Sequence, residues 1–109
     1  MISWSDFEKV EMRVGTITAV DDFPAARNPA YQLIIDFGEY GMKKSSAQLT
    51  KLYSKEELLN KQVIAVTNFP VKQIASFFSE CLVLGVVGEN KEITILQPER
   101  PVQNGLRIA

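Results

Sequence analysis

The sequence offers little that could catalyse a reaction and a good deal that could bind. It contains no histidine, so the usual acid/base of neutral pH and the commonest zinc ligand are both missing. One cysteine, Cys81, excludes an intrachain disulfide and a CxxC site. Cys81 opens an apolar run with no imidazole to activate it, and reads as a buried structural thiol. Asp21-Asp22, even taken with Glu39, match no cation-binding loop and read as a solvated turn. Glu56-Glu57 sit in a helical first turn, where the dipole favours negative charge. Neither a Gly-rich phosphate loop nor a serine triad motif is present. The expectation is a binding protein and not an enzyme, with no catalytic residue, metal or cofactor.

The binding residues form a more coherent set. Phe23 and Arg27 lie in a Pro-containing segment, and Lys43, Lys44, Ser46 and Gln48 on a short extended segment. Asn68 precedes a Phe-Pro pair, and Lys72, Phe77, Phe78 and Ser79 follow in the next loop. Cations for phosphates, amides for base edges and aromatics for stacking are what single-stranded or looped RNA requires. Phe23 and Phe77 have a second reading, as core plugs. Adjacent side chains of an extended loop point opposite ways, so one of Phe77 and Phe78 is expected at a surface. An apolar patch of that kind suits a peptide contact.

Net charge is −1 and the chain has 109 residues, the size of one domain spanning 1–109. The charge is unevenly spread. Residues 1–42 carry a net −4, residues 43–79 a net +4 and the remainder −1. The basic middle reads either as a local positive patch or as scattered solvent charges. No apolar run approaches the roughly 20 residues of a membrane helix, so no membrane insertion is expected. Met1 to Asp6 lacks a basic region followed by an apolar core. With a lone cysteine this points to a reducing, cytoplasmic setting.

The elements that must position these residues are short strands between turns. Ser3 with Asp6 forms a cap for a brief helix around Trp4 and Phe7. Met12 to Val20 alternates apolar with polar or small residues, the period of a half-buried strand, with Gly15 marking a bulge or bend. Strands follow at Tyr31–Phe37 and Met42–Leu49. Ser54-Lys55-Glu56-Glu57 is a capping box for a second short helix. Gln62–Phe69 is a fourth strand, and Cys81–Val87 reads as the most buried one. Glu92–Gln97 is another short strand, and Asn104-Gly105 a tight turn. Three strands, a short helix and further strands is the order of an all-β, five-stranded Greek-key OB-fold barrel with short helices and terminal extensions. Pattern alone leaves an SH3-like barrel or small sandwich as rivals.

Several blocks resemble the tRNA-binding domain appended to bacterial methionyl-tRNA synthetases and to endothelial monocyte-activating polypeptide. They are Asp6-Phe7, Val10 to Ile17, Pro24, Ala26-Arg27, Tyr31, Asp36-Phe37-Gly38, Glu57-Leu58, Lys61, Val63 to Val66, Asn68-Phe69-Pro70, Ser79 and Asn104-Gly105. Within that family, Lys44 to Thr50, Asn68-Phe69-Pro70, Ser79-Glu80 and Leu96-Gln97-Pro98 resemble the free-standing, export-related chaperones. The resemblance implies an OB barrel, a homodimer built through terminal segments, and unfolded precursor proteins or tRNA as ligands. It places Arg27, Asn68 and Ser79 near tRNA. The export connection would add a secretion-pathway component as a further partner. Gln73 and Ser76 stand where the family has an arginine and a glycine, and Glu80-Cys81 where synthetase-appended domains have Gly-Met. A lost cation and an added carboxylate weaken phosphate binding, which favours polypeptide clients with tRNA as the alternative.

Overall fold

The computed structural model describes every residue from Met1 to Ala109. Its organising element is β1 (Met12–Asp22), eleven residues long and able to serve two neighbours. It pairs antiparallel with β2 (Tyr31–Asp36) on one side and β4 (Gln62–Val66) on the other. β3 (Met42–Ala47) extends the sheet beyond β2, and β7 (Leu82–Val83) extends it beyond β4. The order is thus β3-β2-β1-β4-β7. Two hairpins complete the strands: β5 (Lys72–Ile74) with β6 (Phe77–Ser79), and β8 (Gly85–Val87) with β9 (Ile93–Ile95). Helices α1 (Trp4–Glu8) and α2 (Lys55–Leu58) both start with the reciprocal Ser/acid capping box, which satisfies amides that a helix start leaves unpaired.

The sheet curls until its edges meet. The Glu80 amide donates to the Lys44 carbonyl (2.8 Å) and the Lys44 amide to Glu80 Oε1 (2.9 Å). The Ser46 amide donates to Ser79 Oγ (3.1 Å), and Ser45 Oγ to the Cys81 carbonyl (2.9 Å). Side chains thus supply most of the bonds that a ladder would supply at this closure. The result is a nearly closed, five-stranded antiparallel barrel of OB type, and the SH3-like and sandwich alternatives fall away.

Alternation decides what fills the barrel. β2 buries Tyr31, Leu33 and Ile35, and half-buries the residues between them, as period-2 patterning requires. Ile17, Leu33, Ile35, Phe37, Leu58 and Val63 are wholly buried, so α2 contributes Leu58 as a plug. The bulge in β1 falls between Ile17 and Ala19, not at Gly15. Gly15 serves close packing instead: a Cβ there would lie 2.6 Å from Ile35 Cγ2 and 2.8 Å from the Phe37 ring.

The C-terminal segment is strapped across the barrel by polar contacts. Thr16 Oγ1 donates to Asn104 Oδ1 (2.8 Å), and Gln62 exchanges bonds with both main-chain groups of Val102 (2.7 and 3.0 Å). Arg13 Nη1 reaches the Gly105 carbonyl at 2.8 Å while its guanidinium lies 3.7 Å from the Tyr40 ring centre. The same guanidinium holds the Glu11 carboxyl below the usual carboxylate range. Gly105 has φ 93° and passes so near the Phe37 carbonyl that a Cβ would meet it at 2.6 Å. Glycine is required there on both counts.

Two expectations are corrected. The run from Cys81 to Val87 is not the most buried strand: Cys81 is buried, but Val86 is 58% and Val87 77% exposed. The segment carrying Lys72 to Ser79 is a hairpin and not an open loop. Its tip, Ala75-Ser76, places Ala75 at φ 53°, in the left-handed region.

Candidate binding face

Strand alternation sorts the predicted residues. On β3, Ser45 and Ala47 are buried, so Lys44, Ser46 and, just beyond the strand, Gln48 share the outer face. Lys43 belongs to the opposite, half-buried side, near enough to Cys81 for its charge to act on the thiol. In the β5–β6 hairpin Lys72 opposes Ser79, Ile74 opposes Phe77, and Gln73 opposes Phe78. Lys72, Ile74, Phe77 and Ser79 therefore share one face, with Gln73 and Phe78 on the other.

These faces converge on a groove of about 680 Å³. One wall is Ser46 to Leu49 at the end of β3, and the other is Val83 to Gly85 with Val87. Phe69, Pro70, Lys72 and Ile74 line it between the walls, with Ser79 and Glu80 at the closure. The structure thus brings together Ser46, Gln48, Lys72 and Ser79, with Lys44 bonded to Glu80 at the same closure.

The remaining residues are placed differently. Phe23 is buried, its ring 5.3 Å from that of half-buried Phe77, so this pair locks the β1–β2 loop onto the hairpin. Phe78 is 49% exposed on the far face of the hairpin. Arg27 is exposed on the β1–β2 loop. The Asn68 side chain accepts from the Glu11 amide (2.9 Å) and donates to the Lys9 carbonyl (2.7 Å), which ties the segment after α1 to the end of β4.

Several cations on and around this face make no ion pair, although the chain as a whole is acidic. The ion pairs are Lys9–Asp6, Arg13–Glu11, Lys55–Asp22 and Arg100–Glu99. None of them engages Arg27, Lys43, Lys44 or Lys72. Burial pushes the Cys81 thiol up to about 11, against a weaker opposing pull from its Ser45 hydrogen bond and from Lys43. It is protonated and non-nucleophilic at neutral pH.

Sequence reasoning missed the apolar part of the groove, Phe69, Leu82 and Val87. Phe69 read only as a strand end, and the other two as core. An unbroken apolar run looks the same whether its strand is enclosed or forms a groove wall.

The barrel, the unpaired Lys44 and Lys72 and the adjoining apolar groove define a ligand-binding OB module. A family model described as "Putative tRNA binding domain" matches residues 12–107, and the chain belongs to that family. Two solved structures carry the likeness further. The chaperone CsaA from Bacillus anthracis str. Ames superposes with a TM-score of 0.96 at 49% identity, covering 100% of this chain and 99% of that one. The CsaA chaperone protein from Picrophilus torridus does so with a TM-score of 0.94 at 50% identity, covering both chains fully. The chain is also 33% identical over 108 residues to a methionine–tRNA ligase from Nanoarchaeum equitans. It spans 99% of itself but only 14% of that ligase's length. The ligase likeness is therefore one of a module.

Proposed function

We propose that this protein is a CsaA-like chaperone that binds unfolded precursor polypeptides and takes part in their export from the cytoplasm, without catalysis of its own. The observation that carries this reading is the groove between the end of β3 and the 83–87 wall, where Phe69, Pro70, Leu82 and Val87 present apolar surface. Exposed apolar residues gathered beside a polar rim are the mark of a protein-binding site. The close likeness to two CsaA chaperones over the whole chain supports the same conclusion.

A homodimer fits the terminal segment. α1 buries none of its residues, and Ile2 and Trp4 are 76% and 87% exposed, beside Phe7 and the C-terminal Ala109. A five-residue helix in that state needs an apolar partner to hold its shape in water, and a second copy offers the same surface.

The alternative, tRNA, is favoured by Arg27, Lys44 and Lys72, which carry no ion pair, and by the family match. The two readings separate by salt. Binding of a permanently unfolded protein, such as reduced and carboxymethylated α-lactalbumin, should change little between low and moderate salt. Binding of tRNA should weaken steeply, because phosphate neutralisation releases counterions. Absence of any affinity for the unfolded protein would refute the chaperone reading.

A further inference from the structure

The barrel seam beside the groove is left without a main-chain partner, and its hydrogen-bonding register says which groups are free. The Leu84 amide donates to the Ile64 carbonyl, and the Leu84 carbonyl accepts from Leu96. At the far end of the second hairpin the Gly88 amide donates to Glu92. In an antiparallel ladder the paired residues recur every second position. With Val86 opposite Thr94, residues 86 and 88 and the carbonyl of 84 therefore turn toward β9, while the Leu84 amide turns toward β4. Leu82, opposite Val66, turns toward β4. Val83, Gly85 and Val87 then direct theirs the other way, toward β3. All three line the groove.

β3 forms no hydrogen-bonded ladder with them. β3 and β7 are the two edges of the sheet and are not hydrogen-bonded neighbours. Residues 41 and 37, then 43 and 35, 45 and 33, 47 and 31 are the bonded pairs of the β2–β3 ladder. Residues 44, 46 and 48 hence face outward. Lys44 and Ser46 are occupied by Glu80 and Ser79, but beyond them Gln48 has no such partner. The closure that Ser79 and Glu80 make therefore ends where the groove begins. Two strand edges flank an apolar channel there, and neither is blunted by proline, a bulge or an inward charge.

From this geometry we infer that an extended polypeptide docks in the groove as an added strand on the Val83–Gly85–Val87 edge. It exchanges main-chain hydrogen bonds with those residues and lays every second side chain on Phe69, Ile74 and Leu82. This rests on the chaperone reading and supplies its recognition chemistry. Main-chain bonds carry no sequence information, whereas an apolar floor rewards alternating hydrophobic side chains. Such a site takes any extended, partly apolar segment and rejects a folded one, whose edges are already paired. Nucleic acid does not suit it, because the floor offers one cation, Lys72, among apolar side chains.

The test uses the whole protein and an eight-residue peptide of alternating valine and threonine. In the free protein the amide hydrogens of Gly85 and Val87 should exchange fast and that of Val86 slowly. Saturating peptide should slow Gly85 and Val87 alone. Methylating alternate peptide nitrogens, which leaves the side chains intact, should weaken binding by about fivefold for each bond removed. Val87→Pro removes the outward amide at a position where an edge tolerates proline, and should weaken binding to a similar degree. Val87→Ala, which keeps the amide, should have a smaller effect. If the peptide and unfolded α-lactalbumin both bind but ignore methylation and Val87→Pro, added-strand docking is wrong while the chaperone reading stands. If neither binds, the chaperone reading itself fails. If Val87→Pro alters the oligomeric state and leaves peptide binding unchanged, the edge belongs to a second copy and the inference is overturned.

Discussion

Asn68 holds Glu11: its side-chain oxygen takes the Glu11 amide hydrogen at 2.9 Å, and its nitrogen returns a bond to the Lys9 carbonyl at 2.7 Å. Fifty-seven residues separate the pair in sequence. The contact joins the end of β4, where the groove begins, to the segment that presents α1. A residue in the predicted RNA-binding set thus also has a hydrogen-bonding role inside the chain. Asn68→Ala should lower unfolding stability by roughly 1–2 kcal/mol and speed hydrogen exchange at Glu11. If the proposed homodimer forms through α1, the change should loosen it as well. If it instead reduces tRNA affinity with stability and exchange unchanged, the clamp is secondary to direct contact.

Gly15 packs closely against the core. An added methyl would enter space held by the Ile35 and Phe37 side chains, both wholly buried. Gly15→Ala should destabilise the barrel by about 1–3 kcal/mol, the usual range for overpacking, despite the gain in strand propensity. Urea denaturation compared with the parent protein measures this directly. An unchanged midpoint would mean that the core shifts freely at this point.

Phe77 and Phe78 are neighbours with opposite tasks. Phe77 packs on buried Phe23, whereas Phe78 stands exposed across from Gln73. Phe77→Ser should lower the melting temperature and loosen the β1–β2 loop together with the hairpin. Phe78→Ser should leave the melting temperature nearly unchanged. Phe78 lies on the hairpin face opposite that of Lys72 and Ile74, which line the groove, so added-strand docking predicts little loss of peptide binding from Phe78→Ser. A marked loss would enlarge the client surface onto that face.

Cys81 gives the fold an alkaline limit. Its thiol titrates near 11 in the folded chain against 9.0 as the ordinary value, chiefly because burial disfavours the thiolate. A group whose folded pKa is raised contributes stability that is fully present below the unfolded value. That contribution is lost as pH climbs from about 9 through 11. Cys81→Ala should flatten this part of the stability profile. In the parent protein a thiol reagent at pH 8 should react slowly, at a rate that follows opening of the barrel. Rapid labelling under native conditions would contradict the burial.

Much of the barrel was legible because its causes are local. The alternation in Tyr31–Asp36 and the two capping boxes at Ser3 and Ser54 operate over a few residues, and all formed as expected. Other features depend on distant partners. Asn68 reads as a surface amide until Glu11 folds beside it. Gly15 reads as a bend until Ile35 and Phe37 crowd it. The hairpin at Ala75-Ser76 lacks the Asn-Gly or Asp-Gly pair that announces such turns. Val86 and Val87 carry the same hydrophobicity as core residues, but they lie in a two-stranded hairpin outside the five-stranded sheet, which leaves both exposed. The sequence pattern placed Lys43 and Lys44 on the correct strand but Lys72 in a loop, and register alone could show Lys44 outside and Lys43 turned toward the Cys81 side.

Register also makes the tRNA alternative testable residue by residue. Lys44 and Lys72 are free of ion pairs, Lys44 on the outer face of β3 and Lys72 lining the groove, whereas Glu80 is anchored at the closure by the Lys44 amide. If tRNA lies along this face, Lys44→Ala and Lys72→Ala should each weaken binding, and each should reduce the slope of log affinity against log salt by about 0.7–0.9. Lys43→Ala should do neither, because Lys43 faces the half-buried side of β3. Glu80→Gln tests the opposite sign. It keeps an acceptor for the Lys44 amide but removes a negative charge beside two cations, so tRNA affinity should rise with the fold intact. Polypeptide binding in the groove should respond to none of these four changes by more than about twofold, since its driving force is apolar burial and main-chain bonding. Filter binding for tRNA and anisotropy for the peptide, each at two salt concentrations, separate the outcomes. A shared loss of both ligands on Lys44→Ala and Lys72→Ala would mean that RNA and polypeptide compete for a single face.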